Sequence, residues 1–264
     1  MMTEIRSSSN KTYKYIKSLQ TKKARVQSKC YLVEGIKSVR EAFDAGIAAE
    51  LLAVSSSAVQ ETMAGPLLSA ARERDIPVYE IADNLFPQLC DTKTPEGVLC
   101  VAKMPQKREI VIQDGVYLYC DHVSDPGNAG TLIRCADAAG AAGVLFSPGC
   151  VDLYSPKVVR ATMGSLFHLP VYDSVELSQL CMMKEQGFRL IAGALTASAQ
   201  DYREAEYPPR SILVIGNEAN GVLCDVLAAC DSTVIIPITG RAESLNASVA
   251  GALLLYEWRR NNRV

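Results

Sequence analysis

The chain has 264 residues, 48% of them hydrophobic and 21% charged, and a formal net charge of −2. That composition excludes a disordered or coiled-coil protein, and the length admits one or two domains with a sizeable core. No apolar run reaches the roughly 20 residues of a membrane helix and the N-terminus lacks a signal-peptide core, so a cytoplasmic protein with no membrane partner is expected.

The balance of charge is uneven along the chain. Residues 1 to 29 hold eight Lys or Arg against one acid, Glu4, which leaves 19 basic and 28 acidic residues for the remainder. In this head, Tyr13 and Tyr15 lie among Lys11, Lys14, Lys17, Lys22, Lys23 and Arg25, a mixture able to track a phosphate backbone. The competing reading is a solvated, partly helical tail.

Next, "YLVEGIKSVREAFDAG" predicts a strand and then a helix with Ile36, Val39, Phe43 and Ile47 on one face. The strand "AELLAVS", a helix around Ala64 to Glu73, the strand "IPVYEIA", a short helix and the strand "GVLCVAKM" complete a small α/β unit. Residues 105 to 115, "PQKREIVIQDG", are polar, flanked by Pro105 and Gly115, and expected to be a linker. Beyond it, strands are predicted at "VYLYCD", "AGVLFS", "LFHLPVYD", "FRLIAGAL", "SILVIG" and "STVIIPI", mostly with helices between them. Near-continuous apolar strands alternating with helices predict a mostly parallel sheet covered on both faces. Ligands of such sheets bind beyond the carboxyl ends of the strands.

Three strand-to-helix junctions carry the polar residues. In "CDHVSDPGNAGTLIRCADAAG", Asp125-Pro126-Gly127 reads as a turn and Asn128 falls where a helix N-cap belongs. Leu132, Ile133, Ala136 and Ala139 form the buried stripe of the following helix. Arg134, about 200° round from Leu132, points away from it, either solvated or paired with Asp137. In "ILVIGNEANGVLCDVLAAC", Gly216 and Gly221 bracket Asn217, Glu218 and Asn220; the pattern is no Rossmann phosphate loop, and Glu218 is an acid at the crevice rim. In "VIIPITGRAESLNASVAGALLLYEWRR", a loop carries Gly240 and Arg241, Ser244 or Asn246 starts a helix, and Leu245, Val249, Leu253 and Tyr256 are its expected buried stripe.

The nine cysteines (30, 90, 100, 120, 135, 150, 181, 224 and 230) form no C-x-x-C pair and fit buried thiols in a reducing compartment. His122 and His168 suit neither a metal site nor a triad, and His168, in an apolar strand, is expected to be structural. No metal is expected. Lys157 and Arg160 lie on a helix capped by Ser155 and begun by Pro156, as an RNA contact or a solvated face.

Together, "NAGTLIR", "LVIGNEANG" and "IIPITGRAESLNASVAGALLLYE", in this order and spacing, resemble the three signature motifs of the SpoU (TrmH) family of RNA 2′-O-ribose methyltransferases in the SPOUT superfamily. "SPKVVRATMGSLFHLPV", "TKTPEGVLCVAKM" and "YLVEGIKSVREAF" extend the resemblance over nearly the whole chain. Val222 and Ile238 replace commoner leucine and methionine, both conservatively.

The resemblance implies an α/β protein with two domains. A small α/β/α RNA-binding domain, residues 1–105, precedes a parallel-sheet SPOUT domain, 106–264, whose last part, roughly residues 190 to 264, is tied in a deep trefoil knot. It implies S-adenosylmethionine as cofactor, held by Gly193, Ala194, Leu195 and Thr196, by Ile215, Gly216, Asn217, Glu218 and Gly221, and by Ile236, Pro237, Ile238, Ser244, Leu245 and Asn246. The catalytic residues would be Arg134, activating the hydroxyl or binding the adjacent phosphate; Asn128, orienting Arg134 or the ribose; Glu218, positioning the reacting group or balancing charge; and Ser244 with Asn246, completing the pocket floor. Lys11, Lys14, Lys22, Lys23 and Arg25 would contact RNA. A homodimer is implied, with ribosomal RNA the substrate rather than transfer RNA. The alternatives are a transfer-RNA 2′-O-methyltransferase, a non-catalytic RNA-binding or ribosome-assembly protein on the same fold, and a small-molecule methyltransferase.

Overall fold

In a computed structural model, which describes residues 2–60, 64–106 and 109–262, the chain divides into two units. The first comprises Met1–Lys107 with Tyr154–Phe167, the second Arg108–Leu153 with His168–Val264. The segment 154–167, which the sequence reading places with the second domain, therefore packs with the first.

The first unit runs β1 (Met2–Ile5), α1 (Lys11–Ser18), α2 (Lys22–Ser28), β2 (Cys30–Glu34), α3 (Ile36–Asp44), β3 (Ala49–Ser55), α4 (Ser56–Gln60), α5 (Gly65–Glu73), β4 (Val78–Ile81), a 3-10 turn at Phe86–Leu89, and β5 (Val98–Lys103). Its sheet has the order β1-β4-β3-β5-β2, parallel from β1 to β3 and antiparallel through β5 and β2. Alternate strand residues face opposite sides. Tyr31, Val33, Leu52 and Val54 meet Val39 and Phe43 of α3, Leu67 of α5 and Val159 on one face. Cys30, Leu32, Leu51 and Ala53 meet Tyr13, Ile16 and Leu19 on the other. A three-layer α/β/α unit results, with Ile47 only partly buried beyond the end of α3.

The basic head is thus no tail. Its first residues form the edge strand β1, and Tyr13, Ile16 and Leu19 recur at a spacing that lets one side of α1 close the second core while Lys11, Lys14 and Lys17 stay exposed. Arg25 departs from expectation. It is 3% exposed, and its guanidinium donates to the carbonyls of Leu19 (2.7 Å) and Gln20 (2.9 Å), satisfying the end of α1.

The second unit runs β6 (Val116–Cys120), α6 (Pro126–Ala139), β7 (Gly143–Phe146), then, after α7 (Pro156–Ala161) and a 3-10 turn at Ser165–Phe167 in the first unit, β8 (Val171–Tyr172), α8 (Leu177–Glu185), β9 (Arg189–Gly193), β10 (Gln200–Asp201), β11 (Ser211–Ile215), α9 (Cys224–Ala229), β12 (Ser232–Ile235) and α10 (Ala247–Asn261). Its seven strands, ordered β10-β12-β9-β11-β6-β7-β8, are all parallel. Tyr117, Tyr119, Ile212 and Val214 pack on Leu180 and Met183 of α8 and Val226 of α9. The opposite face is covered by α6 and α10.

Several expectations shift. "LFHLPVYD" keeps only two strand residues, and His168 is exposed before them, its Nδ1 3.7 Å from Asp137. Of the linker expected at 105–115, residues 107 and 108 lie outside the described residues. The part after them is strapped to the second unit: Ile110 and Ile112 pack on its core, and Gln113 N donates to Tyr117 Oη. Among the cysteines, Cys181 and Cys224 are exposed rather than buried.

Candidate active site

Four neighbouring strands, β12, β9, β11 and β6, end on one side of the parallel sheet, and the loops leaving them carry nearly every polar residue singled out from the sequence. After β6 the chain turns through Ser124 and enters α6. The cap of α6 is Asp125, whose carboxylate accepts from Asn128 N (2.8 Å), with Pro126 as the first helical residue. Asn128 is therefore inside the helix, not its cap, and the expected Pro-Gly turn is its first turn. Its side chain is freed to point into the crevice.

There Asn128 joins two loops distant in sequence. Its Nδ2 donates to Glu218 Oε1 (2.8 Å), and its Oδ1 accepts from Asn246 Nδ2 (2.8 Å). Asn246, not Ser244, caps α10, accepting through Oδ1 from the backbone amides of Ser248 and Val249. Glu218 also accepts from Ser124 N, Ser124 Oγ and Asp125 N at 3.3–3.4 Å. Burial pushes its carboxyl upward, but the hydrogen bonds from Asn128 and the backbone outweigh this and hold it below the ordinary 4.5. The Asn128 side chain thus hydrogen-bonds Glu218 and Asn246 rather than Arg134.

Arg134 is exposed on the outer side of α6, and its side chain makes no hydrogen bond or ion pair with another described residue. Ser244 is likewise exposed and makes no hydrogen bond to a described residue. Arg160, an RNA candidate on α7 in the first unit, pairs with Asp91 at 2.6 Å.

The loop after β11 is tight. A Cβ on Gly216 would come within 2.1 Å of the Gly221 carbonyl carbon, so only glycine fits there. Asn217 and Gly221 exchange two backbone hydrogen bonds of 2.9 Å, while Asn217 Oδ1 accepts from the amides of Ala219 and Asn220. Beside it, the loop after β9 is fixed by Ala194 N donating to Val234 O and by the Thr196 and Thr233 hydroxyls 2.6 Å apart. Gly193 and Ala194 are half-buried, whereas Leu195 is 79% exposed. In the loop after β12, Ile236 is half-buried and Pro237, Ile238 and Leu245 are exposed. Large apolar side chains held open over backbone amides and carbonyls suit a ligand with an apolar ring and polar edges. No cluster of metal-binding side chains occurs among the described residues.

Two residues to which the sequence analysis gave no part in the site lie behind these loops. Asp121, at the end of β6, is fully buried, and His122 follows it in the left-handed region at φ 54°. A charge closing an apolar strand was the available signal.

Comparison with known proteins places these loops in one family. The model of the SpoU rRNA methylase family matches residues 115–256, and that of the MRM3-like substrate binding domain matches 10–100. The chain is 34% identical over 98% of its length, and all of the relative's, to the 23S rRNA (guanosine(2553)-2′-O)-methyltransferase RlmP of Bacillus subtilis. It is 31% identical to a 23S rRNA (uridine(2479)-2′-O)-methyltransferase of Streptomyces viridochromogenes, over 90% of this chain and 85% of that one. The crystal structure of an AdoMet-bound rRNA methyltransferase from Sinorhizobium meliloti superposes with a TM-score of 0.88 at 30% identity, covering 98% of both chains. With one family match running from the strand before Asn128 to the helix after Asn246, and relatives aligned end to end, the chain belongs to the SpoU rRNA methylase family.

Proposed function

We infer that the protein is an S-adenosylmethionine-dependent methyltransferase acting on a ribose 2′-hydroxyl of ribosomal RNA. The observation that carries this is the Asn246–Asn128–Glu218 chain at the carboxyl ends of the parallel strands, in a fold shared along its length with an AdoMet-bound rRNA methyltransferase. The cofactor supplies an electrophilic methyl group on a sulfonium. Leu195, Ile238 and Leu245 are the apolar surfaces offered to its adenosyl part, and the backbone of 193–196, 215–221 and 236–245 is offered to its polar edges.

The remaining work is positioning, which can supply on the order of 7–11 kcal/mol of a barrier. Glu218, oriented by Asn128 and the Ser124–Asp125 amides, balances charge beside the reacting group; Ser244 and Asn246 form the floor. Arg134, with a pKa above about 12, is a poor base. Its unpaired guanidinium instead stabilises the developing alkoxide or grips the adjoining phosphate, with the proton passing to phosphate or water.

Three further features complete the reading. Lys11, Lys14, Lys22 and Lys23 are exposed on α1 and α2 and form the RNA-contacting face of residues 1–105; Arg25 is withdrawn from that face by its burial. Residues from about 190 onward follow the knotted path of the superfamily, in keeping with α10 returning after β12 to pack on α6, β6, β9 and β11. The protein is a homodimer joined through α10. Val249 (47% exposed) and Tyr256 (53%) leave an apolar stripe on this helix, which starts directly after Leu245 and Asn246 and so puts the interface beside the crevice.

Transfer of labelled methyl from S-adenosylmethionine to total RNA of a strain lacking the gene, with nuclease mapping, tests the activity. Label at one 2′-O-methylated nucleotide of ribosomal RNA is expected. Label confined to transfer RNA would overturn the substrate, and cofactor binding without transfer to any RNA, precursors included, would overturn the enzyme.

A further inference from the structure

Both ends of the loop after β11 are moored to the two residues that follow β6. At its exit, Leu223 N donates to Asp121 Oδ2 at 2.7 Å; at its start, Asn217 Nδ2 donates to the His122 carbonyl at 2.8 Å. Asp121 N in turn donates to Ile215 O (2.8 Å), which extends the β6–β11 ladder to the mouth of the crevice. The second carboxylate oxygen, Oδ1, lies 2.9 Å from His122 Nδ1, and His122 N donates to Ser147 Oγ at 2.9 Å. The left-handed backbone of His122 turns its carbonyl toward Asn217.

Asp121 is fully buried, so it acts only through what it holds. At its base the loop cannot tighten, because Gly216 already abuts Gly221. The exit at Leu223 is the point where it can loosen, since the short helix that follows has no side-chain cap of its own.

We propose that Asp121 is a positioning residue: its carboxylate on the Leu223 amide sets the shape of loop 216–223, and through it the placement of the cofactor-facing backbone and of Glu218. This rests on the reading of that loop as a cofactor loop. The Asp121→Ala variant leaves the Leu223 amide without its acceptor, a loss on the scale of one buried hydrogen bond to a charged group, which corresponds to about tenfold or more in an equilibrium. Asp121→Asn retains an oxygen for that amide. His122→Gly keeps the left-handed backbone and its carbonyl while removing the ring.

Hydrogen exchange of the unliganded full-length protein and titration with S-adenosylmethionine read the two halves separately. In Asp121→Ala, residues 216–223 are expected to exchange about tenfold faster and the cofactor to bind about tenfold more weakly, with RNA affinity unchanged. Asp121→Asn and His122→Gly are expected to stay near the unaltered protein in both. Unchanged exchange in Asp121→Ala would overturn the mooring, and faster exchange with unchanged cofactor affinity would overturn its consequence for binding. Equal losses in His122→Gly would overturn the assignment to the Leu223 bond. If the unaltered protein bound no cofactor, the cofactor-loop reading would fail, while exchange would still judge the mooring.

Discussion

The Asn128 side chain accepts from Asn246 and donates to Glu218, while its backbone amide is taken by Asp125. The part proposed for it is to hold Glu218 and Asn246 still. Replacing Asn128 with alanine should cost about 0.5–1.5 kcal/mol in a denaturant melt, because the buried Asn128 loses two hydrogen bonds while the exposed Glu218 and Asn246 turn to water. Glu218 adds a pH signature. Its folded carboxyl lies below the ordinary 4.5, so the stability it lends is fully present above about that value and is lost as pH falls through the folded value. The melting difference between the unaltered protein and Glu218→Gln should therefore be constant near neutrality and shrink below pH 4.5, which melts across acid pH would measure. For Arg134→Ala the expected outcome is loss of methyl transfer with cofactor affinity unchanged, measured by radiolabel assay beside calorimetry; retained transfer would refute the role given to it.

The helix α10 shows where a sequence stops speaking at the scale of an element. Leu253, Leu254 and Leu255 are consecutive, so apolar periodicity admits more than one phase. The expected stripe of Leu245, Val249, Leu253 and Tyr256 proves to be largely exposed, and Ser248, Gly251, Leu254, Leu255 and Trp258 face inward instead. The phase is fixed by tertiary contacts: a Cβ on Gly251 would come within 2.4 Å of Leu132, and Trp258 Nε1 donates to Pro208 O. In α6, where Arg134 and Asp137 interrupt the apolar positions Leu132, Ile133, Ala136 and Ala139, the buried face was legible. Strands β6, β7, β9 and β11 were legible as apolar runs, whereas two-residue β8 and β10 are defined by their neighbours alone. That the three motifs meet at the crevice was legible from their order and spacing, but not that Asn128 bridges Glu218 and Asn246, since that depends on which residue caps α6. Replacing Val249 and Tyr256 with glutamate should convert the proposed dimer to a folded monomer. Sedimentation with circular dichroism reads this, and an unchanged mass would remove α10 from the interface.

Across the whole molecule, the charge asymmetry of the sequence becomes a feature of one unit. Lys11, Lys14, Lys22 and Lys23 stand on helices whose inner faces close a core. Deleting the head would therefore unfold that unit, and charge reversal is the sound test. The quadruple Lys→Glu protein should keep its cofactor affinity and bind RNA more weakly. Its log K against log salt slope should fall by about 0.7–0.9 for each phosphate contact removed, as binding across a salt series would show. An unchanged slope would exclude these lysines.

The segment 154–167 departs from the usual order in which a chain is assembled. Val159 sits in the core of the first unit with Tyr31 and Val33, and Tyr154, Leu166 and Phe167 pack around it. Domains generally fold as units, N-terminal first, as a polypeptide is synthesised. Here the first unit cannot be finished until residue 167 has left the translating ribosome, by which time β6, α6 and β7 of the second are already outside. The first core therefore closes only after part of the second unit has emerged, and a premature stop between 107 and 153 releases neither unit complete.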